Sequence, residues 1–320
     1  MHSFVGSDLN DIYLDTLISC QSLCSQPSTS RAGAVYDFGP AYFEFVNPVD
    51  QILTLRNRGF NPYFAIVEAA WILSGKNSLA PLKTMIANYS QYSDDGKTLN
   101  GAYGFRMKRY FGQDQLSQSI DHLKATPSSR RAVLTLYSPD DLNRKNSLDI
   151  PCNTTIYLKI RNNKLDITVL NRSNDLFMGI PYNIFVFNCV QKYIANHLDL
   201  DVGVQRHFTD SLHLYKSDIK KVEKITQTNH QHEILSWKEH PSPIHLYKSI
   251  LSEHDAISEP DLNNIQCPYT RKTFSDYFTY KTNRSSIDLI QALPYDKFGL
   301  SVKLWIESLN QRQHDHAKNT

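Results

Sequence analysis

Residues 151–183 read PCNTTIYLKIRNNKLDITVLNRSNDLFMGIPYN, and their patterning decides the fold class. Ile156, Leu158 and Ile160 alternate with Tyr157 and Lys159, the period-two pattern of a half-buried strand. Arg161-Asn-Asn-Lys164 is a turn signal, and Leu165, Ile167 and Val169 then alternate again. The spacing predicts an antiparallel hairpin over 155–171. Pro181 opens an apolar helix running to about Ile194. Further out, Asn61-Pro62 reads as an N-cap followed by Pro at the first helical position, with the helix over 62–73 and Gly75 as its stop. Residues 132–137 form a short β-rich run, and 35–46 alternate. By composition 25–30 and 94–104 are loops. From Asp218 onward the apolar spacing is irregular and reads as mixed helix and loop. Antiparallel strands with helices of unequal length predict an α+β fold, organised as one domain over 1–320.

Composition bounds the function. The 320 residues are 41% hydrophobic and 21% charged, with 18 Tyr and 15 Phe, enough bulk for a core without staples. Lys plus Arg (34) against Asp plus Glu (32) leaves +2, too even for a nucleic-acid coat or a polybasic membrane binder. Five cysteines without zinc-ribbon spacing suit a reducing compartment. No basic segment leads into an apolar run at the start, so no signal peptide is expected. The most apolar stretch, 65–73, is too short to span a bilayer. A soluble cytoplasmic protein is the expectation, with no membrane and no obligatory nucleic acid among its partners.

Cys152 follows a Pro and precedes a strand, which gives its side chain a defined direction. As a nucleophile it would need a nearby cation; as a structural thiol it would need only burial, the expectation for Cys189. Arg31, Arg130, Arg131 and Arg172 lie in loop-like contexts, where planar guanidinium forks can converge on a phosphate or simply face solvent. Arg172-Ser-Asn-Asp175 and Gly179-Ile-Pro-Tyr-Asn183 crowd polar groups into the entry of a buried helix, serving either as internal caps or as ligand readers. Glu68 is flanked by apolar residues, so its carboxyl is expected to hold its proton and serve a relay or a structural hydrogen bond. His213 and Tyr215, two apart on a strand, would share a face. His230-Gln-His232 and His314-Asp-His316 lack a second ligand pair and read as solvated tracts; no metal is expected.

Taken in order, Glu68-Ala-Ala-Trp71, Gly101-Ala-Tyr-Gly104, Ser129-Arg-Arg131, Pro151-Cys152, Asn171-Arg-Ser-Asn-Asp175, Met178-Gly-Ile-Pro-Tyr-Asn183 and His213-Leu-Tyr215 resemble the thymidylate synthase family over roughly 30–220. The resemblance implies a mixed sheet with surrounding helices and a symmetric homodimer with shared active sites. It implies one-carbon transfer from 5,10-methylenetetrahydrofolate to C5 of a uracil-type nucleotide 5′-monophosphate (dUMP or UMP), giving the 5-methyl product through a Cys152–C6 adduct. Carried over, Arg31, Arg172 and Ser173 would hold the phosphate, with Arg130 and Arg131 reaching in from the partner. Asn183 would read the base, and His213 and Tyr215 the sugar. Asp175, Tyr89, Tyr182 and Gly179 would line the folate site. Glu68 would order the water relay, and Tyr103 would lie near the C5 proton.

The departures carry information too. The family usually has Trp where this chain has Tyr89 and Tyr92, His where it has Asn153, and Asp-Ala where it has Ser211-Leu212. Residues 313–320 are not the short apolar tail that closes over folate in the family. Weaker water exclusion makes 5-hydroxymethylation of UMP, dUMP, CMP or dCMP the alternative. Asn183 favours uracil, since cytosine-specific relatives carry Asp there. A cysteine hydrolase pairing Cys152 with His207 or His213 would leave the four arginines unexplained. A non-catalytic pyrimidine-nucleotide or RNA binder would need neither Cys152 nor Glu68.

Overall fold

The computed structural model describes residues 1–22, 26–30, 33–229 and 239–318. Strands β1 (His2–Gly6), β4 (Ala41–Phe45), β9 (Asp201–Thr209), β7 (Lys164–Asn171), β6 (Asn153–Arg161) and β5 (Val133–Thr135) form one mixed sheet in that order. A second sheet runs β2 (Gln26–Ser30), β3 (Gly33–Asp37), β10 (Leu212–Tyr215), β8 (Asn174–Asp175). The helices begin with α1 (Leu9–Ser22), α2 (Pro62–Leu73), α3 (Ala80–Met85) and the single turn α4 (Tyr103–Phe105). They continue with α5 (Gln115–Ala125), α6 (Gly179–His197) and α7 (Ile219–Asn229). The expected α+β class is what the chain adopts.

The local expectations hold where their signals are local. Asn162 and Asn163 take left-handed backbone (φ 50° and 58°), the geometry that joins β6 to β7 with two residues. The Asn61 side chain accepts from Phe64 N–H at 3.1 Å and caps α2, and Gly75 ends it at φ 65°. Two expectations change. Residues 26–30 are a strand, not a loop: they pair antiparallel with β3 from Gln26 opposite Asp37 to Ser30 opposite Gly33. Pro27 is tolerated because β2 is an edge strand. The stretch 35–46 is split between the two sheets, because Gly39 (φ 76°) and Pro40 break it between β3 and β4.

The region from 218 onward, where described, is largely helical: α7, then α8 (Ile244–Ser252), α9 (His254–Ser258), α10 (Pro268–Asn283), α11 (Ser286–Ala292) and α12 (Lys297–Lys318). These helices are built into the core through α2. Tyr63 stacks on Tyr277 (4.3 Å, 24°) and meets Phe298 edge-on at 5.3 Å. Each such pair adds about 0.5–1.5 kcal/mol beyond area burial. One continuous cluster of buried side chains runs from Leu9 to Ile306. Helix α6 covers one face of the six-stranded sheet. The other face stays partly open and carries Val133, Thr155, Tyr157, Leu170 and Phe208 in aligned rows. No described helix is long and apolar enough to cross a membrane.

Candidate active site

Cys152 sits at the mouth of β6, half-buried, where the loop from Ile150 meets the end of β7. Arg172 braces that loop. Its Nε donates to Pro151 O at 3.0 Å, its Nη2 to Ile150 O at 3.0 Å and its backbone N–H to Cys152 O at 2.9 Å. Ser173 Oγ lies 3.8 Å from Cys152 Sγ and accepts from Arg172 Nη1 at 3.3 Å. A thiol, a hydroxyl and an exposed guanidinium thus share one rim, suited to a nucleophile beside an anion. Cys189 and Cys20 are buried, and burial pushes each thiol up to about 12, as expected for structural cysteines.

Beneath the thiol, α4 is docked on α2 through Gly104: a Cβ there would fall 2.0 Å from Ile72 O. That close approach sets Tyr103 beside Cys152 and Asn153. Burial raises the Tyr103 phenol well above its usual range. Glu68 is the one residue of α2 that is not fully buried. Its carboxyl lies against Tyr89, and burial pushes it up to about 8, so it is a neutral acid at pH 7. In the unfolded chain the same carboxyl ionises near 4.5. Its stabilising contribution is therefore full below that pH and is lost as pH rises toward 8. Glu68→Gln should gain about 1–3 kcal/mol over wild type at pH 8 and almost nothing at pH 4. Urea unfolding at the two pH values reads this directly; an equal gain at both would show that Glu68 does not hold its proton.

The base and sugar candidates converge at the start of α6. Asn183 Nδ2 donates to Asn174 Oδ1 at 3.1 Å, and that oxygen lies where a Cβ on Gly179 would come within 2.4 Å of it. Asp175 stands opposite His213 across β8 and β10, and its Oδ1 accepts from Phe177 N–H at 2.8 Å. Burial raises its carboxyl, while the Phe177 amide and His213 oppose the rise. His213 and Tyr215 share a face as expected, ring centroids 5.6 Å apart, and Ser30 Oγ donates to Tyr215 OH at 3.3 Å. Tyr182 stacks on Phe60 at 4.6 Å, and its hydroxyl accepts from Asn61 N–H at 3.0 Å. Phe64 meets Tyr89 at 5.5 Å and Tyr182 edge-on at 5.2 Å, which completes an aromatic wall.

Arg130 and Arg131 are exposed and not part of this cluster. Ala132 O accepts from Leu158 N–H, so Arg131 lies opposite Lys159. That is seven residues along the chain from Cys152, roughly 23 Å at 3.3 Å per residue. Arg31 lies outside the described residues, as do His230, His232 and the side chains of His314 and His316. Among the described residues no group of three or more His, Cys, Asp or Glu is placed to hold a metal. His207 is fully buried, its Nε2 bonded to Gln205, and burial pushes its imidazole down to about 3. A ring that stays neutral and sealed cannot serve as a hydrolase base. Sequence reasoning assigned nothing to Asp149 or Asn174, although Asn174 stands inside a quoted motif and Asp149 three residues before Cys152. A polar residue directly beside a motif glycine or a nucleophile is the signal that could have found them.

Residues 39–250 match the family model described as thymidylate synthase. The chain belongs to that family. Deoxyuridylate hydroxymethyltransferase of Bacillus phage SP01 is 34% identical over 231 residues, covering 68% of this chain and 60% of its own length. The enzyme of that name from Pseudomonas phage M6 is 36% identical over 197 residues, covering 60% of this chain and 56% of its own length. A thymidylate synthase of Francisella philomiragia is 28% identical over 169 residues, covering 48% of this chain and 62% of its own length. The chain therefore spans about three-fifths of the length of these relatives. Thymidylate synthase-family enzymes use 5,10-methylenetetrahydrofolate as one-carbon donor and a pyrimidine nucleotide monophosphate as acceptor.

Proposed function

We propose that this chain transfers a one-carbon unit from 5,10-methylenetetrahydrofolate to C5 of dUMP and releases the 5-hydroxymethyl nucleotide. Cys152 adds to C6 and makes C5 nucleophilic. Arg172 and Ser173, with Arg31, hold the phosphate. Asn183 reads the uracil edge, and His213 and Tyr215 hold the sugar. Asp175, Tyr89, Tyr182 and Gly179 line the folate side. Glu68 orders water, and Tyr103 stands by the C5 proton.

The observation that carries the hydroxymethyl product is the placing of the Glu68 carboxyl against the Tyr89 phenol. A phenol hydroxyl and a neutral acid stand where the family usually offers an indole, so this wall can hold water beside the new carbon instead of excluding it. The phage relatives named deoxyuridylate hydroxymethyltransferase support the same reading. The thymidylate synthase relative keeps methyl transfer as the competing outcome.

We further propose a homodimer with shared sites. Arg130 and Arg131 are too far along β6 to serve their own Cys152, and the half-open sheet face bearing Tyr157, Leu170 and Phe208 is suited to pairing with its copy. Substrates of this kind support a cytoplasmic location.

The test is incubation with dUMP, UMP, dCMP and CMP plus the folate, reading product mass and dihydrofolate. The expected result is a CH2O increment on dUMP without dihydrofolate, because no hydride leaves the folate. A CH2 increment with stoichiometric dihydrofolate would establish methyl transfer instead.

A further inference from the structure

The loop that carries the nucleophile holds a second carboxyl, Asp149, three residues before Cys152. It is clamped on the turn that leads to Tyr103. Its Oδ2 accepts from Gly101 N–H at 2.7 Å, and its backbone carbonyl accepts from Asn100 Nδ2 at 3.0 Å. A Cβ on Gly101 would lie 2.5 Å from Asp149 Oδ1, so the carboxylate packs against that glycine. The carboxylate is close enough to raise both the Tyr103 and Tyr89 phenols. Asp149, Tyr103, Tyr89, Glu68 and Cys152 therefore occupy one electrostatic neighbourhood.

The two carboxyls are held in different states. Burial pushes Asp149 up to about 6, opposed by the Gly101 amide; Asp94 adds to the rise and Arg106 opposes it. Arg106 is itself bound to Asp141 at 2.6 Å and 2.7 Å. At pH 7 Glu68 is thus an acid and Asp149 a base, the division of labour that water addition needs.

We propose that Asp149 is the catalytic base that deprotonates the water captured by the C5 exocyclic methylene. This rests on the hydroxymethylation reading above. The water oxygen bonds to the methylene carbon, the methylene π pair moves to form the C5–C4 enolate, and the water proton passes to the Asp149 carboxylate. The enolate then restores the C5–C6 double bond as the C6–Sγ bond breaks and Cys152 departs as thiolate. No oxidant or reductant is consumed.

The test separates two readouts: tritium release from C5 of labelled dUMP, which reports steps before water capture, and formation of 5-hydroxymethyl product. In wild type, product formation should fall as pH drops through about 6, while tritium release lacks that limb. Asp149→Asn should release tritium within about threefold of wild type, yet form product roughly a hundredfold more slowly, with the acid limb lost. Asp149→Ala, which leaves Gly101 unclashed, should recover product formation with added formate. A purely structural role would depress both readouts together and resist formate. Equal losses, or product formation near wild type in the Asn variant, overturn the assignment while leaving hydroxymethylation standing. Wild type yielding only methyl product would overturn both.

Discussion

Cys152→Ala should lose turnover by at least about 10⁴-fold yet still bind dUMP, because the groups proposed to hold the nucleotide do not depend on the thiol. Arg172 is fixed to the carbonyls of Ile150 and Pro151, which the substitution leaves in place. Ser173 loses a 3.8 Å contact and nothing else. Calorimetry should therefore show nucleotide binding in a chain without activity. Cys189→Ala, by contrast, should keep activity and lose about 1–2 kcal/mol of stability, the usual cost of trimming a buried side chain. The same inactive chain tests the shared site. Co-refolded with an equally inactive Arg131→Ala chain, it should recover about a quarter of wild-type activity, since half the dimers are mixed and one of their two sites is intact. Retained turnover in Cys152→Ala would end the covalent mechanism. Mixed dimers without recovered activity would end the shared site.

Asn183→Asp moves preference from uracil toward cytosine nucleotides, and the geometry beneath position 183 is what allows it. The Asn183 amide spends one N–H on Asn174 Oδ1 at 3.1 Å. What remains is one N–H and one carbonyl oxygen, the complement of uracil O4 and N3–H. A carboxylate at position 183 would face the Asn174 oxygen without a donor. Asn174 Nδ2, however, is buried and has no hydrogen-bond partner, so turning that amide over offers the carboxylate a donor at small cost. The variant can then accept from cytosine N4 and, protonated, donate to N3. Each unmade buried bond costs about 1–3 kcal/mol, so the ratio of kcat/KM on dUMP to that on dCMP should fall roughly ten- to hundredfold. Arg172 and Cys152 are untouched, and monophosphate binding should persist. A flat ratio, or a wild type that prefers dCMP, would remove Asn183 as the base reader.

The parts of this protein legible in its sequence are those whose determinants lie within one short segment. The cap at Asn61, the stop at Gly75 and the apolar run between them specify α2, because capping and helical burial involve residues a turn or two apart. The Asn162-Asn163 turn and the flanking alternation specify the β6–β7 hairpin for the same reason. The order of motifs around Cys152, Arg172 and Asn183 named the family, since spacing along the chain is itself sequence information. Tertiary structure decided what depends on partners far away in the chain. Gln26–Ser30 is a strand only because β3 returns beside it, and 35–46 divides between two sheets because each half has its own neighbours. Tyr63 shows no purpose in sequence until Tyr277 and Phe298 close over it. Asp149 meets Gly101 only through the fold, and Asn183 has a fixed donor pattern only when Asn174 lies beneath it. Composition and periodicity record what each segment prefers alone; a carboxyl's charge state and an amide's orientation come from burial and from the groups that folding sets around them.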